Sequence, residues 1–301
     1  MKYMRLLVFV AFFIPWAEVY APPRRPEIYG IALVRLQVSN MDASRRFYQN
    51  ILGLGSVSQD CFIPQHGAPC FELNIGQQVE IAPSRRPQDF KAVETVGFLI
   101  RDATEMRQYL LAQGVKCGEV KSGDLAGKFV ETSDPENHNV LFLAAVRAGS
   151  QLGYPVDHYL IHAGLVVHDR SAEDKFYKDI LGFHLYWQGG RTDDETDWVN
   201  MQVPDGTDWI EYMLNVPANA DHHTLGVMNH IALGVPDIHA AEAQLRKNGW
   251  TGTEEPKIGR GGKWQLNLYD PDDTRVELME FTPVQKPCCS EYTGPHPGPN
   301  R

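Results

Sequence analysis

Short apolar runs rich in β-branched and aromatic residues alternate along this chain with helical patterns that stop at glycine. The first run, Ile31–Val38, predicts a strand. A helix follows from about Asp42, as N-cap, to Leu52, with Gly53 ending it, and Cys70–Ile81 supplies further strand. The same order then returns three times. The second segment has strand Thr95–Ile100, helix Ala103–Gln113 before Gly114, and strands Gly127–Thr132 and Asn139–Ala145. The third has strand Tyr159–Val167, helix Ser171–Ile180 before Gly182, and strands His184–Gln188, Trp198–Val203 and Trp209–Leu214. The fourth has strand Asn229–Val235, helix Ile238–Lys247 before Gly249, and strands Trp264–Tyr269 and Arg275–Phe281.

Two motifs mark the recurrence. Phe47-Tyr48-Gln49-Asn50-Ile51-Leu52-Gly53-Leu54 returns as Phe176-Tyr177-Lys178-Asp179-Ile180-Leu181-Gly182-Phe183, five of eight residues being identical at an offset of 129. Asp134-Pro135 with Val140 returns at an offset of 136 as Asp270-Pro271 with Val276. Gly149, Ser150, Gly153 and Pro155 predict a linker between halves over 147–157. Five prolines with Gly294 and Gly298 predict a disordered tail over 283–301.

Before the first strand, Lys2 and Arg5, an apolar run from Leu6 to Ala17 and Val19-Tyr20-Ala21 predict an export signal over residues 1–21. Pro22, just after the expected cut, favours retention as an anchor instead. The apolar run falls short of the about 20 residues that span a bilayer. The expectation is an exported protein, periplasmic or secreted, with the segment either removed or kept as its only membrane contact. Removing Lys2, Arg5 and Glu18 moves the formal net charge from −10 to −11. That excess of acid argues against nucleic acid as a partner. It leaves a small-molecule substrate as the expected partner and sets no oligomeric state. The five cysteines are Cys61, Cys70, Cys117, Cys288 and Cys289, an odd number, so at least one is unpaired or intermolecular. Cys61 and Cys70 either close a short loop or stay reduced. No zinc-ribbon spacing is present, and Cys288-Cys289 lies in the tail.

Four βαβββ modules, the Phe-Tyr…Leu-Gly helix end and the Asp270-Pro271-Asp272…Arg275-Val276-Glu277-Leu278 final strand resemble the vicinal oxygen chelate superfamily. That superfamily includes glyoxalase I, fosfomycin and bleomycin resistance proteins, and extradiol dioxygenases. The resemblance covers about residues 28–282. It implies an α+β fold in which modules pair into two curved-sheet half-barrel domains, 28–146 and 158–282, each enclosing one cup. It also implies metal ligands in the first and last strands of a module: His162 and Glu211 in the third, His230 and Glu277 in the fourth. Strand periodicity agrees, since each of these polar groups shares its face with small or apolar residues. A buried imidazole or carboxylate is costly unless paired or metal-bound. Two imidazoles and two carboxylates suit one Zn, Ni, Fe or Mn ion.

The N-terminal half serves as the comparison. Leu33, Thr95 and Leu141 stand where His162, His230 and Glu277 stand, and only Glu80 survives opposite Glu211. That half is expected to bind no metal and to be structural. Glu280 points away from Glu277 and is expected to be solvated. His158, His168, His222, His223 and His239 read as surface residues, with His222-His223 at the cup's rim as the alternative. Trp187, Trp198, Trp209 and Trp264 either line the cup or fill core.

Three functions fit. The first is a glyoxalase-like lyase or isomerase acting on vicinal oxygens chelated to the ion, with Glu277 as general base and Glu211 opposite. Glutathione-dependent members carry arginines where this chain has Val166 and Gly226, although Asn215 matches a glutathione-contacting position. Glutathione is therefore not the expected cosubstrate. The second is an extradiol dioxygenase with a His162, His230 and Glu277 triad for Fe(II) or Mn(II). Against it, Asn267 stands where the active-site tyrosine should, and Glu211 is an extra acid. The third is a small-molecule binding or resistance protein, which a complete four-ligand set disfavours.

Overall fold

The computed structural model describes residues 23–55, 57–58, 61–62, 69–74, 76–84, 91–123, 127–144 and 159–299. The export-signal reading, the linker and His158 lie outside them. Strands β1 (Ile28–Val38), β2 (Val57–Ser58), β3 (Cys70–Asn74), β4 (Gln77–Pro83), β5 (Val93–Ile100), β6 (Lys121–Gly123), β7 (Gly127–Ser133) and β8 (Asn139–Ala144) form one sheet. Its order is β2-β3-β4-β1-β5-β8-β7-β6. Strands β9 (Tyr159–Val166), β10 (His184–Gly189), β11 (Trp198–Gln202), β12 (Trp209–Met213), β13 (His230–Val235), β14 (Lys257–Ile258), β15 (Trp264–Tyr269) and β16 (Arg275–Glu280) form the second, in the order β10-β11-β12-β9-β13-β16-β15-β14. The two sheets are curved half-barrels with the same topology, which is the two-domain fold the motifs predict.

The helices are α1 (Met41–Arg45), α2 (Ala103–Ala112), α3 (Arg170–Glu173), α4 (His222–Met228) and α5 (Ile238–Lys247). Both α1 and α3 widen into a π-helical turn, over Arg46–Ile51 and Asp174–Ile180. The first helix is capped by Asn40 rather than Asp42, because the Asn40 side chain accepts from Ala43 N at 3.1 Å. Asp42 then sits in the first turn, where the helix dipole favours acid. Helix α4, capped by Asp221, has too little apolar periodicity to be visible in the sequence.

One core cluster draws on both halves, and the recurrent motifs meet across it. Tyr48 of the first half donates to Asp270 of the second at 2.9 Å, and Tyr177 donates to Asp134 at 3.2 Å. Asp272 accepts from Ser39 N, and Glu136 accepts from His168 N and Asp169 N. The motifs therefore join the halves as well as shaping each one. Glu173 lies buried at this junction, accepting from Glu136 N at 3.0 Å. Burial, reinforced by Asp134, pushes its carboxyl up to about 9. A carboxyl raised in the folded state stabilises fully below its unfolded value of about 4.5, and that contribution is lost as pH rises toward 9. Glu173→Gln should accordingly raise the melting temperature at pH 8 and leave it nearly unchanged at pH 4. Equal shifts at both values would contradict this reading.

The tail corrects an expectation. Residues 284–299 are not disordered but form a strap across the second half-barrel. On one side Thr293 N donates to Tyr186 O at 3.0 Å, and Ser290 Oγ bonds Gln188 N and O, covering the free edge of β10. On the other, Val284 N, Cys288 N and Tyr292 OH donate to the carbonyls of Gly262, Arg260 and Gly261 in the β14–β15 hairpin. Proline-rich composition reads as coil because prolines cannot pair in a ladder. Two sheet edges nonetheless supply partners to the residues between them. Cys61–Cys70 and Cys288–Cys289 are disulfides, leaving Cys117 free.

Candidate metal centre

Four consecutive strands of the second sheet, β12, β9, β13 and β16, each contribute one polar residue to the same face. The register sets Glu211 and His230 on either side of Gly164, and Ala232 between His162 and Glu277. A glycine is required at 164. A Cβ there would lie 2.0 Å from His230 Cε1, so the imidazole occupies the space a side chain would fill.

Three of the four predicted ligands, His162, Glu211 and His230, have donor atoms within 4.8 Å of one another, and Glu277 lies beside the two histidines. His162 Nε2 and His230 Nε2 are 3.0 Å apart. Glu211 Oε2 lies 3.1 Å from His230 Nε2 and 3.8 Å from His162 Nε2. Glu277 Oε2 lies 3.7 Å from His162 Nε2 and 3.9 Å from His230 Nε2. Both histidines are wholly buried, and Glu277 is 4% exposed. Burial holds both imidazoles well below their ordinary value, so they are neutral and offer lone pairs. His230 Nδ1 donates to Met228 O at 2.9 Å, which turns the lone pair of Nε2 toward the centre. His162 stacks on Trp209, with ring centroids 4.8 Å apart, and its Nδ1 has no partner. Burial raises Glu277 to about 7, with Arg275 opposing and Glu211 assisting the shift. With its amide oriented to satisfy both neighbours, Asn200 donates to Glu211 Oε1 at 2.9 Å and accepts from Trp209 Nε1 at 3.1 Å. Two neutral imidazoles and two carboxylates on one buried face fit a divalent ion.

In the first half the same register carries different chemistry. Arg35 occupies the position of Gly164, opposite Glu80 and Thr95. Its guanidinium Nε donates to Glu80 at 2.8 Å. Leu33 and Leu141, in place of His162 and Glu277, join Phe62, Phe129 and Leu143 in an apolar cluster. This half's surviving acid is thus neutralised by a built-in cation.

Around the centre opens a cavity of about 610 Å³, lined among others by Trp187, Trp198 and Trp209. Trp264 instead packs against the core and His239. The second histidine pair does not rim the cavity: His222 bonds Asp272 O, and His223 pairs with Asp273. Glu280 is not merely solvated, because its Oε1 accepts from Ile238 N at the start of α5. Val166 is buried against Met213 and Val216. Asn215 donates to Thr196 O and Asp197 rather than facing the cavity.

Sequence reasoning did not single out Arg275 or Lys263, which line the cavity, while Asn267, the residue compared with the dioxygenase tyrosine, does line it. The guanidinium of Arg275 lies 2.8 Å from His230 Nε2, while its Nε has no partner. Strand alternation could have found it, since Arg275 precedes Glu277 by two and shares its face. The same alternation places Lys263 and Asn267 on the cup face of the β15 edge.

A family model described as Glyoxalase/Bleomycin resistance protein/Dioxygenase superfamily matches residues 157–278, the half that holds this cluster. The lactoylglutathione lyase of Haemophilus influenzae is 29% identical over 123 residues, covering 40% of this chain and 91% of that protein. A probable chloroplastic lactoylglutathione lyase of Arabidopsis thaliana is 25% identical over 134 residues, 43% of this chain and 38% of that one. Homoprotocatechuate 2,3-dioxygenase from Brevibacterium fuscum, solved with 3,4-dihydroxyphenylacetate, shares the fold over 91% of this chain and 84% of its own, with TM-score 0.62 and 18% identity. The 2,3-dioxygenase LapB from Pseudomonas sp. KL28 matches 92% of this chain and 96% of its own, with TM-score 0.64 and 18% identity. Sequence similarity thus links the second half to lyases, and the fold of the whole chain is shared with solved dioxygenases; together they support the glyoxalase/bleomycin resistance protein/dioxygenase, or vicinal oxygen chelate, superfamily, whose family model matches residues 157–278.

Proposed function

We propose that this protein is a metal-dependent lyase or isomerase of the glyoxalase type, acting without glutathione on a small substrate with adjacent oxygens. The observation that carries the reading is the fourth donor. Glu211 stands 3.1 Å from His230 Nε2, so two carboxylates, not one, face the two imidazoles. A dioxygenase triad needs the positions beyond its three ligands open for catechol and oxygen, and Glu211 is a further donor that would compete for them.

His162, Glu211, His230 and Glu277 would hold one Zn, Ni, Fe or Mn ion. Such an ion supplies Lewis acidity toward two neighbouring substrate oxygens. Arg275 would give up its contact with His230 Nε2 once that lone pair is taken, because like charges at that range repel. The buried carboxylate of Glu277 would take a proton from the hydroxyl-bearing carbon of a 2-hydroxycarbonyl compound, or of a hydrated 1,2-dicarbonyl, and return it to the adjacent, former carbonyl carbon. Trp187, Trp198, Trp209 and the tail strap limit the entry of water. Val166 and Gly226 offer no clamp for glutathione carboxylates. A side chain at 226 would meet Asp273 O at 2.8 Å, leaving no room for an arginine. Export, read from Lys2 to Ala21, belongs to the same proposal and agrees with independence from glutathione.

The extradiol dioxygenase is the second reading, favoured by architecture alone: a two-half chain whose first half lacks ligands. The deciding experiment measures the metal of protein purified without added metal, then oxygen uptake with catechols and turnover of 1,2-dicarbonyl or 2-hydroxycarbonyl compounds. Nickel, zinc or cobalt with carbonyl turnover supports the lyase or isomerase. Iron with catechol-dependent oxygen uptake would replace it with the dioxygenase.

A further inference from the structure

The cavity beside the candidate centre carries a charge opposite to that of the chain. The protein has a formal net charge of −10, yet five cationic side chains line this cavity: Lys257, Arg260, Lys263, Arg275 and Lys286. Among the described residues, the acids lining it are Glu211 and Glu277, both committed to a metal ion in the proposed function.

Lys263 is the least ordinary of the five. It is 2% exposed, just before β15, and lines the cup. Three rings surround it: Nζ lies 5.0 Å from the centroid of Trp209, 5.3 Å from Tyr292 of the tail and 5.5 Å from Tyr186. The rings compensate part of the lost hydration through cation–π attraction. They cannot replace a counter-ion. Among the described residues Nζ makes one hydrogen bond, to Tyr186 OH at 3.4 Å, and no carboxylate lies within 4.0 Å of it. A buried ammonium has three donors, and here at least two are unused. Burial accordingly pulls the amine down to about 7. Arg260, by contrast, is already engaged at the rim by Asp193 and Gly190 O.

We propose that Lys263 is the anchor of an anion subsite, and that the substrate carries an acidic group, carboxylate or phosphate, besides its adjacent oxygens. The acid would accept the free ammonium hydrogens, while Lys257, exposed at the mouth, would attract it from solvent. This deepens the proposed function and rests on the cup being its substrate site. Binding of the acid itself needs no metal. The subsite differs from the glutathione clamps, whose positions here are Val166 and Gly226.

Metal-free full-length protein provides the test. Trp209 lies beside Lys263, so tryptophan fluorescence should report binding. The titrants are sodium succinate, inorganic phosphate and neutral succinamide, at pH 6 and at constant ionic strength, with the same titrations repeated at pH 8. We expect at least one acid to bind and succinamide not to. The better of succinate and phosphate identifies the acid. Lys263→Met should weaken binding about tenfold or more, the range of a charge-assisted hydrogen bond. Lys263→Arg should restore most of it, and Lys257→Ala, a surface change, should weaken it about two- to threefold. Succinamide binding as well as succinate would overturn the proposal, as would unchanged affinity in Lys263→Met. Borohydride trapping of a dicarbonyl compound on Lys263 would also overturn it, by assigning the amine to covalent chemistry. Failure to bind metal would sink the enzymatic reading and leave this test intact.

Discussion

Glu277→Gln is expected to lower turnover by about 10²–10⁴-fold, the usual cost of losing a positioned general base. The substrate would be whichever 1,2-dicarbonyl or 2-hydroxycarbonyl compound the wild type converts. The amide keeps the side chain's shape and one oxygen donor, so metal content should fall much less than kcat. It cannot take up a proton at neutral pH. Steady-state kinetics on metal-loaded protein, with metal measured on the same samples, separates the two effects. Adding glutathione should not raise the rate, because Val166 is packed against Met213 and Val216 and Gly226 against the Asp272–Asp273 backbone. Unchanged kcat in Glu277→Gln would move the proton transfer elsewhere, with Glu211 the next carboxylate to test. Strict dependence on glutathione would show that its carboxylates are held by other residues.

The second large effect is expected from a double change, Gly164→Arg with His230→Thr. It copies into the second half the arrangement of the first, where Arg35 reaches Glu80 past Thr95. The new guanidinium would occupy the space of the His230 ring and pair with Glu211. A buried pair with both partners present is tolerated, whereas a lone buried charge is not. The variant should therefore fold with near-native circular dichroism and bind no metal. Gly164→Arg alone should be markedly less stable, since the imaginary Cβ already overlaps the imidazole. Metal binding retained in the double variant would mean that the ion does not need His230.

Much of the fold was legible because its signals are local. Apolar alternation marks the strands, and Gly53, Gly114, Gly182 and Gly249 all adopt positive φ at helix ends. The cluster was legible for a related reason: polar residues in a strand's buried face stand out against apolar neighbours. What the sequence concealed depends on contacts distant along the chain. The tail strap is composed like a coil and gains order only from the edges of β10 and the β14–β15 hairpin. Asn40 and Asp42 are both good caps, and local preference could not choose between them. Arg275 and Lys263 were hidden among ordinary strand residues, because a cation looks like a solvated side chain until the curvature of the sheet places it inside. The Tyr48–Asp270 and Tyr177–Asp134 bonds show what the recurrent motifs do, which recurrence alone could not.

The central claim is that one half of this chain binds a metal and the other does not. Elemental mass spectrometry of the full-length protein, dialysed after loading with zinc or nickel, tests it most directly when paired with His162→Ala/His230→Ala. The account predicts close to one ion per chain in the wild type and close to none in the double variant. Two ions per chain, none in the wild type, or one ion retained after both histidines are removed would contradict it.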